Sequence, residues 1–438
     1  MKTAWFFALI AAICFEGLGR RYLPQVPSAV FYFLKDVILI YGLVKYRPPL
    51  STWRVTGKLY GGFAVIALIA LVWTILELLN PDQQSAVLAA IGFRAYWLWW
   101  LAPPLIAHVL REPKERSRAI YGLLAVSAIV AILAAVQFAA PADSSLNVYS
   151  YVDGEQTEGA VVYSTGRARV ASTFSFLSGF ADFTTLIPTL TLAFGLDVRD
   201  PRLRRTAFIV TGLTAATIPM AGSRASLLIA GTILLVSVWT AGLFKTRIGR
   251  RILVGGLAAA VVSVVAFPDA FEGVRSRFAD EEETKSRYLL TAAAVLPPLA
   301  IGMVDHPPFG IGTGMQQNVR IHMGISTAYV AEPEFGRYLV ELGTFGYLVV
   351  WTAKLGLMVA LMRAYKLLKR AGRRGAATAS LSYAILTMAG NLTFDHVWQA
   401  LYFVGCGFIL AEVLSVVRAR TAVAPVPEPM PIAALAAP

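Results

Sequence analysis

SRASLLIAGTILLVSVWTAGLFKTRIGRR, residues 223–251, holds in one stretch the features that decide the fold. Its apolar run, Ala225–Leu243, is close to the ~20 residues an α-helix needs to cross the hydrocarbon core of a bilayer. A basic segment follows at once, with Lys245, Arg247, Arg250 and Arg251. One arginine, Arg224, stands where the apolar run opens. Backbone polar groups in lipid must pair within their own segment, so a run of this kind predicts a helix. The alternating pattern of a membrane barrel is absent.

The same design recurs along the chain. Phe63–Leu79, Ala119–Val136, Ile252–Phe267 and Gly343–Leu361 are further long apolar runs. Only 15% of the 438 residues are charged, against roughly a quarter in a soluble domain. The mean hydropathy is +0.63. We read an all-α polytopic membrane protein with about 12 transmembrane helices, near 4–18, 27–44, 59–79, 87–110, 119–138, 173–196, 205–221, 224–243, 252–268, 337–362, 377–392 and 397–417. Residues 1–421 form a single membrane domain, 269–336 are a large loop within it, and 422–438 are an Ala/Pro-rich disordered tail. Thr3–Phe15 lacks a small-residue cleavage site and reads as a retained first helix.

Charge orients these spans. Basic residues crowd segments 45–58, 111–118, 199–205, 244–251 and 363–374, each two spans from the next. They therefore share one side, the cytoplasm by the positive-inside rule, and both termini fall there. The opposite loops are short or acidic, with Asp280-Glu281-Glu282-Glu283 in the largest. Arg20 and Arg21 are the exception on that side, as snorkelling or functional residues. A net charge of +13 in a soluble protein would raise nucleic-acid binding; confined to loops between apolar runs, it reports topology, and no nucleic-acid partner is expected. The two cysteines, Cys14 and Cys406, sit in apolar runs and make no disulfide framework.

Ionisable groups at the edge of a span need a reason. Arg224 is either an interfacial arginine that snorkels to lipid phosphate or an anion clamp, since guanidinium grips phosphate oxygens bidentately and keeps its charge. Arg287 lies on the first turn of a helix expected in the large loop, where the helix N-terminus favours an anion; pairing with Glu281–Glu283 is the plainer reading. Gly310, Gly312 and Gly314 permit close backbone approach and unusual dihedrals, but no Walker loop follows. His306, His322 and His396 fall on the acidic side at spacings that match no compact metal motif, and no metal is expected. Glu332 and Glu334 stand before the tenth span, as a general base or as charges complementing a helix N-terminus.

The order of these pieces resembles the O-antigen ligase and Wzy-type polysaccharide polymerase superfamily. Arg169-Val170-Ala171-Ser172-Thr173-Phe174 is similar to that family's Arg-x-x-Gly-Thr-Phe, with Ser172 in place of glycine. Ser223-Arg224 resembles the start of a later helix, Arg287 through Gly314 the segment ending in Gly-x-Gly-x-Gly, and Glu332 through Gly346 the final pattern with Glu341-Leu342-Gly343. The likeness spans about 160–415. It implies a GT-C-like glycosyltransferase in a bacterial inner membrane. Such an enzyme moves a glycan from undecaprenyl diphosphate to an acceptor hydroxyl at the periplasmic face, with no cofactor.

By that resemblance Arg224 and Arg287 would hold the diphosphate, with Arg169 adding to the cradle. His306, Gly312, Gly314 and His322 would line the substrate site. Family ligases carry His-Asn nine residues before the Glu-Leu-Gly glutamate. Here Glu332-Pro333 stands there, so Glu332 becomes the base ahead of His322. That change favours a polymerase of lipid-linked repeat units over a ligase that passes finished glycan to lipid or protein. A flippase and a chain-length regulator would be partners. A transporter of the lipid-linked precursor is the reading from another class; it calls for charges mid-helix in several spans, whereas the charges singled out above cluster at the outer loops.

Overall fold

The computed structural model of the protein describes residues 2–23, 25–148, 150–152, 155–158, 161–163, 165–198, 200–240, 246–279 and 281–423. Asp280, the side chains of Glu281, Glu282, Glu283, Arg287 and His322, and the tail from 424 onward lie outside the described residues.

Each predicted span falls on a helix or a broken run of helices. The first is α1 (Lys2–Cys14), which bends by 60° into α2 (Glu16–Tyr22). Next come α3 (Ser28–Tyr46) and α4 (Leu50–Tyr60), which turns through 102° into α5 (Phe63–Leu76). The fourth run is α6 (Ala86–Trp97), a short 3-10 turn and α7 (Ala102–Val109). The middle of the chain builds α8 (Pro113–Ala139), α9 (Leu177–Asp197), α10 (Pro201–Ala216), α11 (Arg224–Thr240) and α12 (Arg247–Ala266). The large loop is itself helical: α13 (Pro268–Ala279), at 98° to α12, then α14 (Glu281–Val295), α15 (Pro297–Met303) and α16 (Val319–His322). The chain closes with α17 (Glu334–Arg370), α18 (Arg374–Ala389) and α19 (His396–Val423).

Among the described residues the departure from all-α is one short antiparallel hairpin, Ser150–Val152 on Glu155–Glu158, and a bridge between Val162 and Ala168. By length and composition four helices can cross a membrane, or up to seven if each bent pair is one span.

The surface supports the membrane reading more directly. Leu68, Val72, Ile75 and Leu76 of α5 are exposed, as are Val254, Leu257, Val261 and Val265 of α12. Apolar side chains at helical spacing thus face outward, the reverse of a soluble protein, and such a contiguous apolar surface needs lipid against it. The buried centre is α19, of whose apolar window 89% is buried. Its Tyr402, Phe403 and Phe408 pack among Phe6, Trp99, Phe183 and Phe194.

The helix α17 is broken within its outer third. Gly343 takes φ +67°, ψ −177°, which no helix interior permits. A break here strands the carbonyls that the next turn would have bonded. Ile311 N donates to Val340 O (3.0 Å), Gly312 N to Glu341 O (3.1 Å) and Trp73 Nε1 to Leu342 O (3.0 Å), while Thr344 N finds Pro308 O (3.2 Å). The glycine-rich run thus repairs the break strand-fashion. Close approach dictates its composition: a Cβ at Gly310 would lie 2.4 Å from Glu341 O, one at Gly314 2.1 Å from Leu88 O, and one at Gly343 2.1 Å from Pro308 O. All four glycines at 310, 312, 314 and 343 have positive φ.

Two substitutions test this repair. Gly343→Ala combines a strained backbone with a steric clash and should destabilise the protein by at least about 2 kcal/mol. Trp73→Phe keeps an aromatic side chain there but leaves Leu342 O unpaired, at a cost of about 1–3 kcal/mol. Thermal unfolding in detergent measures both, and a Trp73→Phe variant that melts with the wild type would refute the pairing argument.

Candidate functional site

We call the face opposite the basic loops the outer face. Arg169 sits there on a loop fixed at two points: Arg169 N donates to Val161 O (2.8 Å) and Val170 N to Met220 O (2.9 Å). Its guanidinium reaches the turn that precedes α11, with Nε and Nη2 at 3.1 and 3.0 Å from Ala221 O. Arg277, on α13, donates through Nη1 to Gly222 O (2.6 Å). Arg224 opens α11, donates to Arg277 O, and lies 5.9 Å from the centre of the Phe278 ring. The guanidinium groups of Arg169 and Arg277 thus reach the turn at 221–222 from separate elements, Arg224 reaches from that turn to α13, and all three arginines are half-buried. Gly222 makes the convergence possible. Its φ is +65°, and a Cβ would stand 2.5 Å from Arg169 Nε.

The turn after Arg169 is equally determined. Ser172 has φ +52°, a region glycine occupies freely, at the position where the motif it resembles carries glycine. Serine is held there by four bonds. Its N donates to Gln137 Oε1 (2.7 Å), its hydroxyl to Val130 O (2.8 Å), and its carbonyl accepts from Arg21 Nη1 (3.0 Å) and Gln137 Nε2 (3.2 Å). Arg21 also donates to Phe174 O. Arg20 pairs with Glu16 (2.6 Å). Both arginines of the 16–26 loop thus turn into the protein rather than towards headgroups.

Below the arginine cluster lies an apolar cavity of about 1030 Å³, walled by α9, α10, α11 and α12. Pro219 and Phe271 line its outer end, Arg204 and Arg205 its inner end. Gly212, Gly231 and Gly255 line it, and a Cβ at any of them would meet no atom within 4 Å. Missing side chains on apolar helices create this space.

The other expected residues divide. Glu332 is exposed just ahead of α17 and lies within electrostatic reach of Arg337. Glu334 is fully occupied: it pairs with Lys354, takes the Tyr338 hydroxyl at 2.7 Å and Leu392 N at 2.6 Å. His306 belongs to the break in α17. Its Nδ1 meets Val304 O (2.7 Å), so Nδ1 carries the proton and Nε2 accepts from the Thr344 hydroxyl (2.8 Å). Gly312 and Gly314 are buried against Gln83 and Leu88. These three residues hold the outer end of α17 together, and the structure does not bring them to the arginine cluster. The backbone of Arg287 is in α14 and that of His322 in α16. Among the described residues no group of three or more His, Cys, Asp and Glu is placed to hold a metal ion.

A second polar assembly was missed in the sequence. Lys35 pairs with Glu16 (2.6 Å), Arg94 pairs with Asp36, and Trp99 Nε1 donates to Asp36 Oδ1 (3.0 Å). Arg94 Nη2 reaches the Tyr32 hydroxyl (3.1 Å) and His396 Nδ1 (3.3 Å), and Tyr32 bonds His396 Nε2. A guanidinium only donates, so His396 Nδ1 accepts, Nε2 carries the ring proton, and Tyr32 oxygen receives it. Lys35, Asp36 and Arg94 lie inside predicted spans, so the placement of charge at the outer loops alone is corrected. The signal was present as three charges inside apolar runs, which demand partners. Arg277 carried no such signal; it stands on a helix of the large loop with Arg275 beside it.

No protein-family model matches the chain, and no curated protein matches it.

The buried pairs predict a non-additive mutational pattern. Arg94→Leu leaves the Asp36 carboxylate without its closest counter-charge and should cost about 3–5 kcal/mol. Adding Asp36→Leu should recover most of that loss. Unfolding midpoints of the two single variants and the double variant in detergent test it; an Arg94→Leu protein as stable as the wild type would sink the pairing.

Proposed function

We propose that the protein is a glycosyltransferase of the O-antigen ligase and Wzy-type superfamily. It polymerises lipid-linked oligosaccharide repeat units, into exopolysaccharide, capsule or O-antigen, at the periplasmic face of a bacterial inner membrane. The full reading has twelve spans, a GT-C-like arrangement, both termini in the cytoplasm, and a flippase and a chain-length regulator as partners. One observation carries it: the half-buried Arg169, Arg224 and Arg277 gather about the turn at 219–224, whose Pro219 lines the outer end of a large apolar cavity that runs down through the helices. An amphiphile with a diphosphate head and a long isoprenoid tail matches both halves. Guanidinium fits phosphate oxygens, and carbon-lined walls fit the tail.

In this reading the acceptor hydroxyl gives its proton to the Glu332 carboxylate and attacks the anomeric carbon. A new glycosidic C–O bond forms as the C–O bond to the diphosphate breaks, with inversion. The bonding pair leaves on the diphosphate. Charge there rises in the transition state, where fixed cations lower the barrier most. Neither a metal nor a nucleotide sugar takes part. Arg277 joins Arg169 and Arg224 as a diphosphate contact, and Arg287, from α14 of the same loop, remains a candidate. Transfer of a finished glycan to lipid or protein uses the same chemistry.

A transporter of the lipid-linked glycan is the second reading. It is favoured by the reach of the cavity to Arg204 and Arg205 at the basic face, and by the charges of Lys35, Asp36 and Arg94 within spans.

Purified protein incubated with undecaprenyl-diphosphate repeat units separates these readings. A ladder of products is expected for a polymerase, transfer only upon addition of a second acceptor for a ligase, and no new glycosidic bond for a transporter. Arg224→Ala and Arg277→Ala should each lose the ladder, and Arg224→Lys should rescue it poorly because lysine cannot make the paired contact. Glu332→Gln should slow the reaction by roughly 100-fold or more; full activity in that variant would remove Glu332 as the base.

A further inference from the structure

A second apolar cavity, of about 280 Å³, lies at the opposite face from the arginine cluster. Its roof is α4. That helix lies within an acid-free stretch whose four basic residues are Lys45 and Arg47 ahead of it and Arg54 and Lys58 on it, and it turns by 102° into α5. An apolar helix entering the bilayer at right angles to α4 leaves α4 lying along the membrane surface. The sequence of α4 suits that position. Trp53, Thr56 and Tyr60 point into the cavity, Leu50 is 73% exposed, and Arg54 and Lys58 are exposed one helical flank away. Amphipathic helices of this pattern settle in the interface with their cations among the headgroups.

The cavity descends from α4 along α17, from Ala364 to Leu357. Two helical turns make this about 11 Å, directed along the helix and so along the acyl chains of a bilayer. Among its lining residues, hydroxyl and thiol groups are limited to Thr56, Tyr60 and Cys406. Such walls offer a sugar, a nucleotide or an ion few polar partners; they suit a hydrocarbon chain. The exposed cations of α4, Arg54 and Lys58, one turn apart on the helix that roofs the cavity, define the other end of the ligand. We propose that this is a binding site for one anionic phospholipid, its acyl chain in the cavity beneath α4 and its phosphate against Arg54 and Lys58. Each basic residue near a membrane surface attracts anionic lipid by about 1 kcal/mol. The site stands apart from the reaction proposed above and does not depend on it.

Gly57 makes a clean test. It lines the cavity, and a Cβ there would meet no atom within 4 Å, so Gly57→Leu fills the space without a clash and adds helix propensity. The full-length protein, stripped of lipid in mild detergent, is titrated with phosphatidylglycerol or phosphatidylcholine, and one-lipid adducts are counted by native mass spectrometry. The wild type should retain one phosphatidylglycerol about tenfold or more over phosphatidylcholine. Gly57→Leu should lose that adduct while keeping its unfolding midpoint. Arg54→Glu/Lys58→Glu should bring phosphatidylglycerol down to the phosphatidylcholine level. Equal retention of the two lipids by the wild type would overturn the proposal, as would an adduct undiminished in Gly57→Leu. Should Gly57→Leu unfold early, Ala364→Phe, which fills the cavity from α17, gives the same reading.

Discussion

A carbonyl oxygen freed inside a membrane protein must find a donor, and the arrangement of the outer half of this molecule follows from that requirement at Gly343. The break in α17 releases three consecutive carbonyls. Two backbone amides of the glycine-rich run and the indole of Trp73 take them. Because the donors come from the large loop and from α5, one bend ties three distant parts of the chain together. Glu341, fully buried beside the break, adds a fourth tie: its carboxylate accepts from Gln316 N (2.6 Å) and the Tyr96 hydroxyl (3.0 Å). The glycines that look like a ligand cradle in the sequence are therefore the means by which the loop is seated. Seating the loop is what positions α17, and with it the exposed Glu332 just ahead of that helix.

Much of the helix inventory was legible because hydropathy is a bulk property that survives local surprises. The turns were harder. The bend at Gly61-Gly62 has a glycine pair as its signal, and the one at Phe267 is followed by Pro268, yet neither residue type says how far the helix will turn. The fixed loops were harder still. Ser172 adopts a backbone conformation suited to glycine through bonds to Gln137, Val130 and Arg21, partners 35, 42 and 151 residues away. Such a choice is invisible to local reading. Arg277 illustrates the same limit in the candidate site. Only the right-angled fold of α13 over the turn at Gly222 separates it from other loop cations.

The two charged assemblies solve different electrostatic problems. Glu16, Lys35, Asp36 and Arg94 satisfy one another within the helices, with Tyr32 and His396 completing the hydrogen bonds. Burial of this kind is tolerable because every ion has a close partner of opposite sign. At Arg169, Arg224 and Arg277 the carbonyls of Ala221, Arg277 and Gly222 orient the guanidinium groups. The first assembly resembles a structural fastening; the second is the one to which we assign the diphosphate.

Helices that abandon the membrane normal also have a mechanical consequence. On one face α4 leaves α5 at 102°, and on the other α13 leaves α12 at 98° and α2 leaves α1 at 60°. In a bilayer α4 and α13 would rest as outriggers against opposite leaflets, while α2 packs inward against Phe174. A smooth bundle can answer a thicker or thinner bilayer by tilting or sliding. A bundle with rigid arms on both sides has its depth set from above and below, like a bolt between two washers. The span between those arms is then a fixed gauge, and lipid around the protein must stretch or thin to meet it.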